Sequence, residues 1–239
     1  MRRVLVTGGG TGIGRAIAHA FANDGDAVTI AGRRSGPLED TAHGTDMHIR
    51  QADVTDETSV ASLFEQPFDV VVANAGAGKP ACVREMDLQD WNATLSVNLT
   101  GTFLTFRAAL QTMDAGGRLI AIASTAALQG GPNIAAYVAA KHGVLGLVRA
   151  TAKEVARDGI TCNAVCPGFV DTDMAEAAIK GVQDKFGVDA AKAQSMIVSG
   201  NPMRRLINVD EVSAAAVFLA SPGASSVNGH ALAVSGGEI

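Results

Sequence analysis

A chain of 239 residues, 47% hydrophobic and 18% charged, carries enough apolar material for one large folded domain, which excludes a disordered or solvating chain. Its 19 basic and 24 acidic residues leave a formal charge of −5 with no basic run, which argues against a nucleic-acid groove or an anionic membrane surface as partner. No 18-residue apolar window predicts a membrane helix, the apolar run after Met1-Arg2-Arg3 is shorter than a secretory leader would need, so none is expected, and the odd cysteine count (Cys82, Cys162, Cys166) predicts a reducing cytoplasm rather than a disulfide framework.

Short β-rich runs alternate with longer helical patterns. Strands are expected at residues 3–7, 27–31, 47–51, 70–73, 118–123, 160–165 and 231–234. Helices are expected at 11–23, 59–64, 87–112 in one or two pieces, 135–157 and 210–220. The strands lack strict alternation, as strands covered on both faces do. This order predicts one α/β domain over residues 1–239, a doubly wound parallel sheet of about seven strands with helices on both faces. Residues 172–206 break the alternation and read as a small helical lid insertion.

The first strand runs into Thr7-Gly8-Gly9-Gly10-Thr11-Gly12-Ile13-Gly14 and then a helix. Glycines there permit a tight turn and close backbone approach, and the helix N-terminus presents N–H groups to an anion. A nucleoside-triphosphate loop is excluded, because Arg15-Ala16 follows Gly14 where Lys and Ser/Thr would be needed. A dinucleotide site would place Asp or Glu after the second strand to bind the ribose 2′-OH. This chain has Arg33-Arg34 there instead. A guanidinium pairs with a 2′-phosphate, so NADP(H) is favoured, and NAD(H) remains open.

Tyr137 is the sole tyrosine, and Lys141 lies four positions later, on the same helix face. A phenol titrates near ~10, and a neighbouring ammonium favours its ionised form. Such a pair can give a proton to a carbonyl oxygen that receives hydride, or take one from an alcohol. Ser124 ends the preceding strand and Asn98 lies in the helix before it. No His, Cys, Asp or Glu spacing predicts a metal site.

Gly8-x-x-x-Gly12-x-Gly14 together with Asn98, Ser124 and Tyr137-x-x-x-Lys141 resembles the short-chain dehydrogenase/reductase family, over nearly the whole chain. The resemblance implies a Rossmann-like fold and a homotetramer packed through helices 87–112 and 135–157. It implies that Ser124 binds the substrate carbonyl, Tyr137 transfers the proton, Lys141 lowers the tyrosine pKa and holds the nicotinamide ribose, and Asn98 holds a water leading to solvent. It assigns cofactor contacts to Gly8, Thr11, Gly12, Ile13 and Gly14, to Arg33 and Arg34, and to Asp53 and Val54. It adds Asn74-Ala75-Gly76, where Ala73 replaces the family's first Asn, and Pro167, Gly168, Val170 and Thr172. Residues 159–174 resemble β-ketoacyl thioester reductases and aromatic polyketide ketoreductases. The implied activity is NADPH-dependent reduction of a ketone, at best a 3-oxoacyl thioester carried on coenzyme A or acyl carrier protein. An NAD-dependent alcohol or 3-hydroxyacyl-CoA dehydrogenase is the alternative, and a non-catalytic dinucleotide sensor a remote one. The apolar Met174, Ile179, Val182, Phe186, Met196 and Ile197 suit either a flap over the substrate or core and subunit packing. His142 reads as a packing or solvent-facing residue, Cys162, Cys166 and Trp91 as packing residues, and Arg205 with Glu211 as a structural pair.

Overall fold

The computed structural model describes residues 1–239. Seven parallel strands are β1 (Arg3–Thr7), β2 (Ala27–Gly32), β3 (His48–Gln51), β4 (Val70–Ala73), β5 (Arg118–Ile122), β6 (Thr161–Pro167) and β7 (Ala231–Val234). They lie in the order β3-β2-β1-β4-β5-β6-β7. The chain therefore starts at the middle of the sheet, winds one way to β3, then crosses back over β1 to lay β4 on its other side. At that reversal the connections leave β1 and β4 in opposite directions and open a crevice beyond their C-terminal ends.

Side chains alternate across the sheet and fill a core on each face. Leu5, Val71 and Leu119 point to one face, where α5 (Gly101–Ala109) and α6 (Ala135–Glu154) supply Leu104, Phe106, Val144 and Val148. Val4, Val6, Val70, Val72 and Ile120 point to the other, against Ile17 and Phe21 of α1 (Gly12–Asn23) and Val212 and Leu219 of α9 (Val209–Ala220). Both faces are covered, which is why these strands read as continuous apolar runs.

The structure adds one helix to the sequence expectation, divides another as that expectation allowed, and shifts the bounds of several elements. Residues Ser35–Ala42 form a helix, α2, that the Ser-Gly-Pro start disguised as a turn; Pro37 sits in its first turn, where a missing N–H costs nothing. The helical stretch 87–112 divides into α4 (Leu88–Leu95), a π-helical turn (Ser96–Thr100) and α5. Helix α6 stops at Glu154, and the chain leaves it through a 3₁₀ turn and Gly159 at φ +74°. Strand β6 runs on to Pro167, in register with Val234. The insertion contains α7 (Asp173–Phe186) and α8 (Ala190–Ile197); α3 (Glu57–Ala61) completes the helices. No helix is long and apolar enough to cross a membrane.

Candidate active site

The phosphate-loop residues occupy the β1–α1 turn. Gly8 and Gly12 take φ of +65° and +49°, which L side chains rarely adopt. A Cβ on Gly14 would run into the Gly8 carbonyl and the Asn74 amide, so this glycine is required by close approach. Thr11 caps α1 in extended geometry but makes no side-chain cap bond, and no acidic residue lies in the first turn. The leading N–H groups of α1, from Gly12, Ile13 and Gly14, thus face outward at the positive end of the helix dipole. That turn fits a dinucleotide diphosphate.

Two residues outside the sequence prediction build this turn. Thr7 is buried, and its hydroxyl accepts the backbone N–H groups of Asn74 and Ala75 at 3.1 and 3.2 Å. The Asn74 amide in turn donates to the carbonyls of Thr7 and Gly8 at 2.9 and 3.2 Å. Arg15 donates to the Gly10 carbonyl at 2.8 Å and to the Thr41 hydroxyl at 3.0 Å, which ties the loop to α2. Only the fold could reveal these, because no spacing pairs residue 7 with 74 or 15 with 41.

Arg33 ends the β2 connection and Arg34 caps α2; both are exposed and neither makes an ion pair. Asp53 lies across from them, its carboxylate accepting the N–H and hydroxyl of Thr55 at 2.9 and 2.8 Å. Those bonds, with a smaller contribution from the Arg33 charge, hold its pKa below the usual value against partial desolvation. Val54 is buried against Gly101, so its side chain belongs to the core. Asn74-Ala75-Gly76 leaves β4 beside the phosphate loop.

Asn98 sits in the π-helical turn and is fully buried. Its amide donates to the carbonyls of Ala77 and Thr94, while its Oδ1 is buried without a partner and lies over Gly76. π-turns inside helices often occur at functional sites, and this one turns Asn98 toward the β4 loop. Ser124 follows β5 and accepts the Ala126 N–H at 3.1 Å. Tyr137 and Lys141 lie one turn apart on α6, with the ammonium 5.5 Å from the ring centroid. Lys141 is buried and donates to the Ile122 carbonyl at 2.8 Å.

Burial pushes the Tyr137 phenol above its ordinary value, and the neighbouring Ser124 side chain only partly opposes this. Burial also pulls the Lys141 ammonium down to about 8. Without dinucleotide in the crevice, desolvation is the largest influence on both groups. Cys166 is buried beside the pair and its thiol is raised by the same cause, which leaves it a neutral packing group. Pro167 and Gly168 end β6 next to Ser235, while Val170 is buried in the core through its pairing with Ile207. Thr172 caps α7 and packs directly on Gly12, closing the insertion against the phosphate loop.

The structure therefore brings Asn98, Ser124, Tyr137, Lys141 and the cofactor-edge residues together at the C-terminal ends of the strands. His142 bonds its own helix at the Val138 carbonyl and stays exposed, and the Arg205–Glu211 pair braces the start of α9. Trp91 is half-buried on α4 and, with Val83, Met86, Asp87, Leu88 and Ala135, borders an open, mostly apolar groove beside the start of α6.

Comparison with known proteins bears on this arrangement. Residues 8–238 match the family model described as enoyl-(acyl carrier protein) reductase. The chain is 35% identical to the 3-oxoacyl-acyl-carrier-protein reductase MabA of Mycobacterium tuberculosis, over 99% of this chain and 92% of that one. It is 33% identical to the D-beta-hydroxybutyrate dehydrogenase of Cupriavidus necator, over 100% and 98%. A point variant of actinorhodin polyketide ketoreductase, solved with NADPH, superposes with a TM-score of 0.92 at 35% identity, over 99% and 97%.

Proposed function

Because the chain belongs to the short-chain dehydrogenase/reductase family of oxidoreductases, and its relatives act on ketones and the matching alcohols, we propose that it reduces a 3-oxoacyl thioester or related ketone to a secondary alcohol with NADPH. The observation that carries this reading is the convergence of Ser124, Tyr137 and Lys141 beside the β1–β4 crevice. When bound, the reduced nicotinamide supplies the hydride.

This chain's residues do the rest. The phosphate loop receives the diphosphate, and Arg33, free of any carboxylate partner, receives the 2′-phosphate with Arg34 beside it. Ser124 donates to the substrate carbonyl. Tyr137, whose raised pKa keeps it protonated at neutral pH, gives its proton to the carbonyl oxygen as charge develops there. Lys141, charged below about pH 8, then stabilises the phenolate and returns a proton to it. Asn98 seats the water that leads from Lys141 to solvent. The α7–α8 insertion serves as the lid, and the faces of α4–α5 and α6 build a homotetramer; Phe103, 42% exposed under the Arg107 guanidinium, lies on that face.

Titration of the purified protein with NADPH and NADH, read by nicotinamide fluorescence at fixed salt, tests the cofactor, and reductive turnover of 3-oxoacyl thioesters tests the chemistry. Tighter NADPH binding is expected. The second reading, an NAD-dependent dehydrogenase of 3-hydroxy compounds, draws on the hydroxybutyrate dehydrogenase relative and requires tighter NADH binding.

A further inference from the structure

The catalytic segments themselves carry almost no charge. Residues 124–140 and 161–170 contain no ionisable side chain other than cysteine and Tyr137, and the ammonium of the next residue, Lys141, is buried and donates to the Ile122 carbonyl. In the β4 loop, Lys79 is paired with Asp90. On the lid side, Arg204 turns to the Ser199 carbonyl at 2.8 Å, and Arg205 is held by Glu211. The acidic Asp173 and Glu176 occupy the first turn of α7.

Into this setting the tail after β7 inserts Glu238. Its Oε1 accepts the Gln129 amide at 2.6 Å, five positions past Ser124. Its Oε2 lies 3.0 Å from where a Cβ on Gly168 would stand, and its Cγ lies 3.8 Å from the corresponding point on Gly200. Glu238 therefore touches the serine loop, the β6 loop and the lid at once. A carboxylate fixed by an amide keeps its charge in one place, and no neighbouring cation cancels it.

Resting on the reductase reading above, we infer that Glu238 is a specificity-determining residue that excludes substrates carrying a free carboxylate near the ketone. The site takes 3-oxo esters, 3-oxo thioesters or neutral cyclic ketones, and it rejects free 3-oxo acids. Like charges brought together at a partly buried site repel, and the one cation of the catalytic set, Lys141, is buried and turned to the Ile122 carbonyl rather than offered to the acid.

The matched pair ethyl acetoacetate and acetoacetate isolates the charge. We expect the native enzyme to prefer the ester in kcat/KM by at least tenfold. Glu238→Gln keeps the shape and the bond to Gln129 while removing the charge. It should lower that ester-to-acid ratio about tenfold, chiefly through KM for the acid, and Glu238→Lys should lower it further. A merely structural tie between tail and loop would leave the ratio unmoved. An unchanged ratio in both variants, or a native preference for the acid, overturns the inference. Absence of turnover with any neutral ketone would overturn the reductase reading instead; the ratio of dissociation constants for the same pair, measured on the enzyme–NADPH complex, still decides the role of Glu238.

Discussion

Asn74 and Thr7 hold each other reciprocally across the β1–β4 seam. The Thr7 hydroxyl accepts the Asn74 backbone N–H at 3.1 Å, and the Asn74 amide donates to the Thr7 carbonyl at 2.9 Å. The pair fixes the end of β4 against the phosphate loop at the point where the sheet reverses its winding.

Thr7→Val conserves shape and removes the hydroxyl. It leaves the N–H groups of Asn74 and Ala75 without an acceptor, at a cost of about 1–3 kcal/mol. Urea unfolding should show a lower midpoint, and NADPH binding should weaken several-fold because the loop loses its brace. Unaltered stability would mean the hydroxyl is not the brace.

Tyr137→Phe keeps the ring beside Lys141 and removes the proton. Reduction should fall by ~10³-fold or more, within the range for loss of a general acid, while NADPH affinity stays within a few-fold. Turnover and fluorescence titration on the same sample separate the two. Near-native turnover would remove Tyr137 from the mechanism.

Arg33→Asp places a carboxylate where the 2′-phosphate is proposed to lie. NADPH binding should weaken by at least tenfold, and NADH should gain relative to it. No change in the NADPH-to-NADH ratio would show that Arg33 is a solvated loop residue.

Lys141→Met tests the cost of the buried ammonium. The native pKa is pulled from 10.5 to about 8, so between those values the unfolded chain binds more protons and stability rises with pH. Below pH 8 the full penalty applies. The Met variant, measured without dinucleotide, should therefore be the more stable by about 1–2 kcal/mol at pH 7, after the lost bond to Ile122 is offset. Its advantage should shrink between pH 8 and 10.5. A variant less stable at pH 7 would show that the Ile122 bond outweighs desolvation.

Much of this was legible in the residues. Strands β1, β4 and β7 fall where the apolar runs placed them, and the glycine loop and the Tyr–Lys pair announce their chemistry by spacing alone. The misses have physical causes. Helix α2 begins Ser-Gly-Pro, whose local preference is a turn, and it forms because Leu38 and Thr41 bury against β2 and the loop. β3, expected at 47–51, is found at His48–Gln51; it is an edge strand with four exposed residues, and only its first residue differs. Thr7, Arg15 and Glu238 have partners 67, 26 and 109 positions away, a distance at which no local pattern speaks.

The strand order also bears on how the molecule is made. A chain that begins at the centre of its own sheet must build outward. β1 leaves the ribosome first, yet Val4 has to wait for Val70 before its second edge is closed. The later half adds β5, β6 and β7 in turn, each on the rim the previous one left open. Pairings this distant in sequence are slow to form. During synthesis the phosphate loop and its brace can be complete by the time β4 emerges, whereas Ser124, Tyr137 and Lys141 are set only by the second half. A nascent chain thus holds its phosphate loop before it has either Thr172 to close on Gly12 or any means of moving a proton.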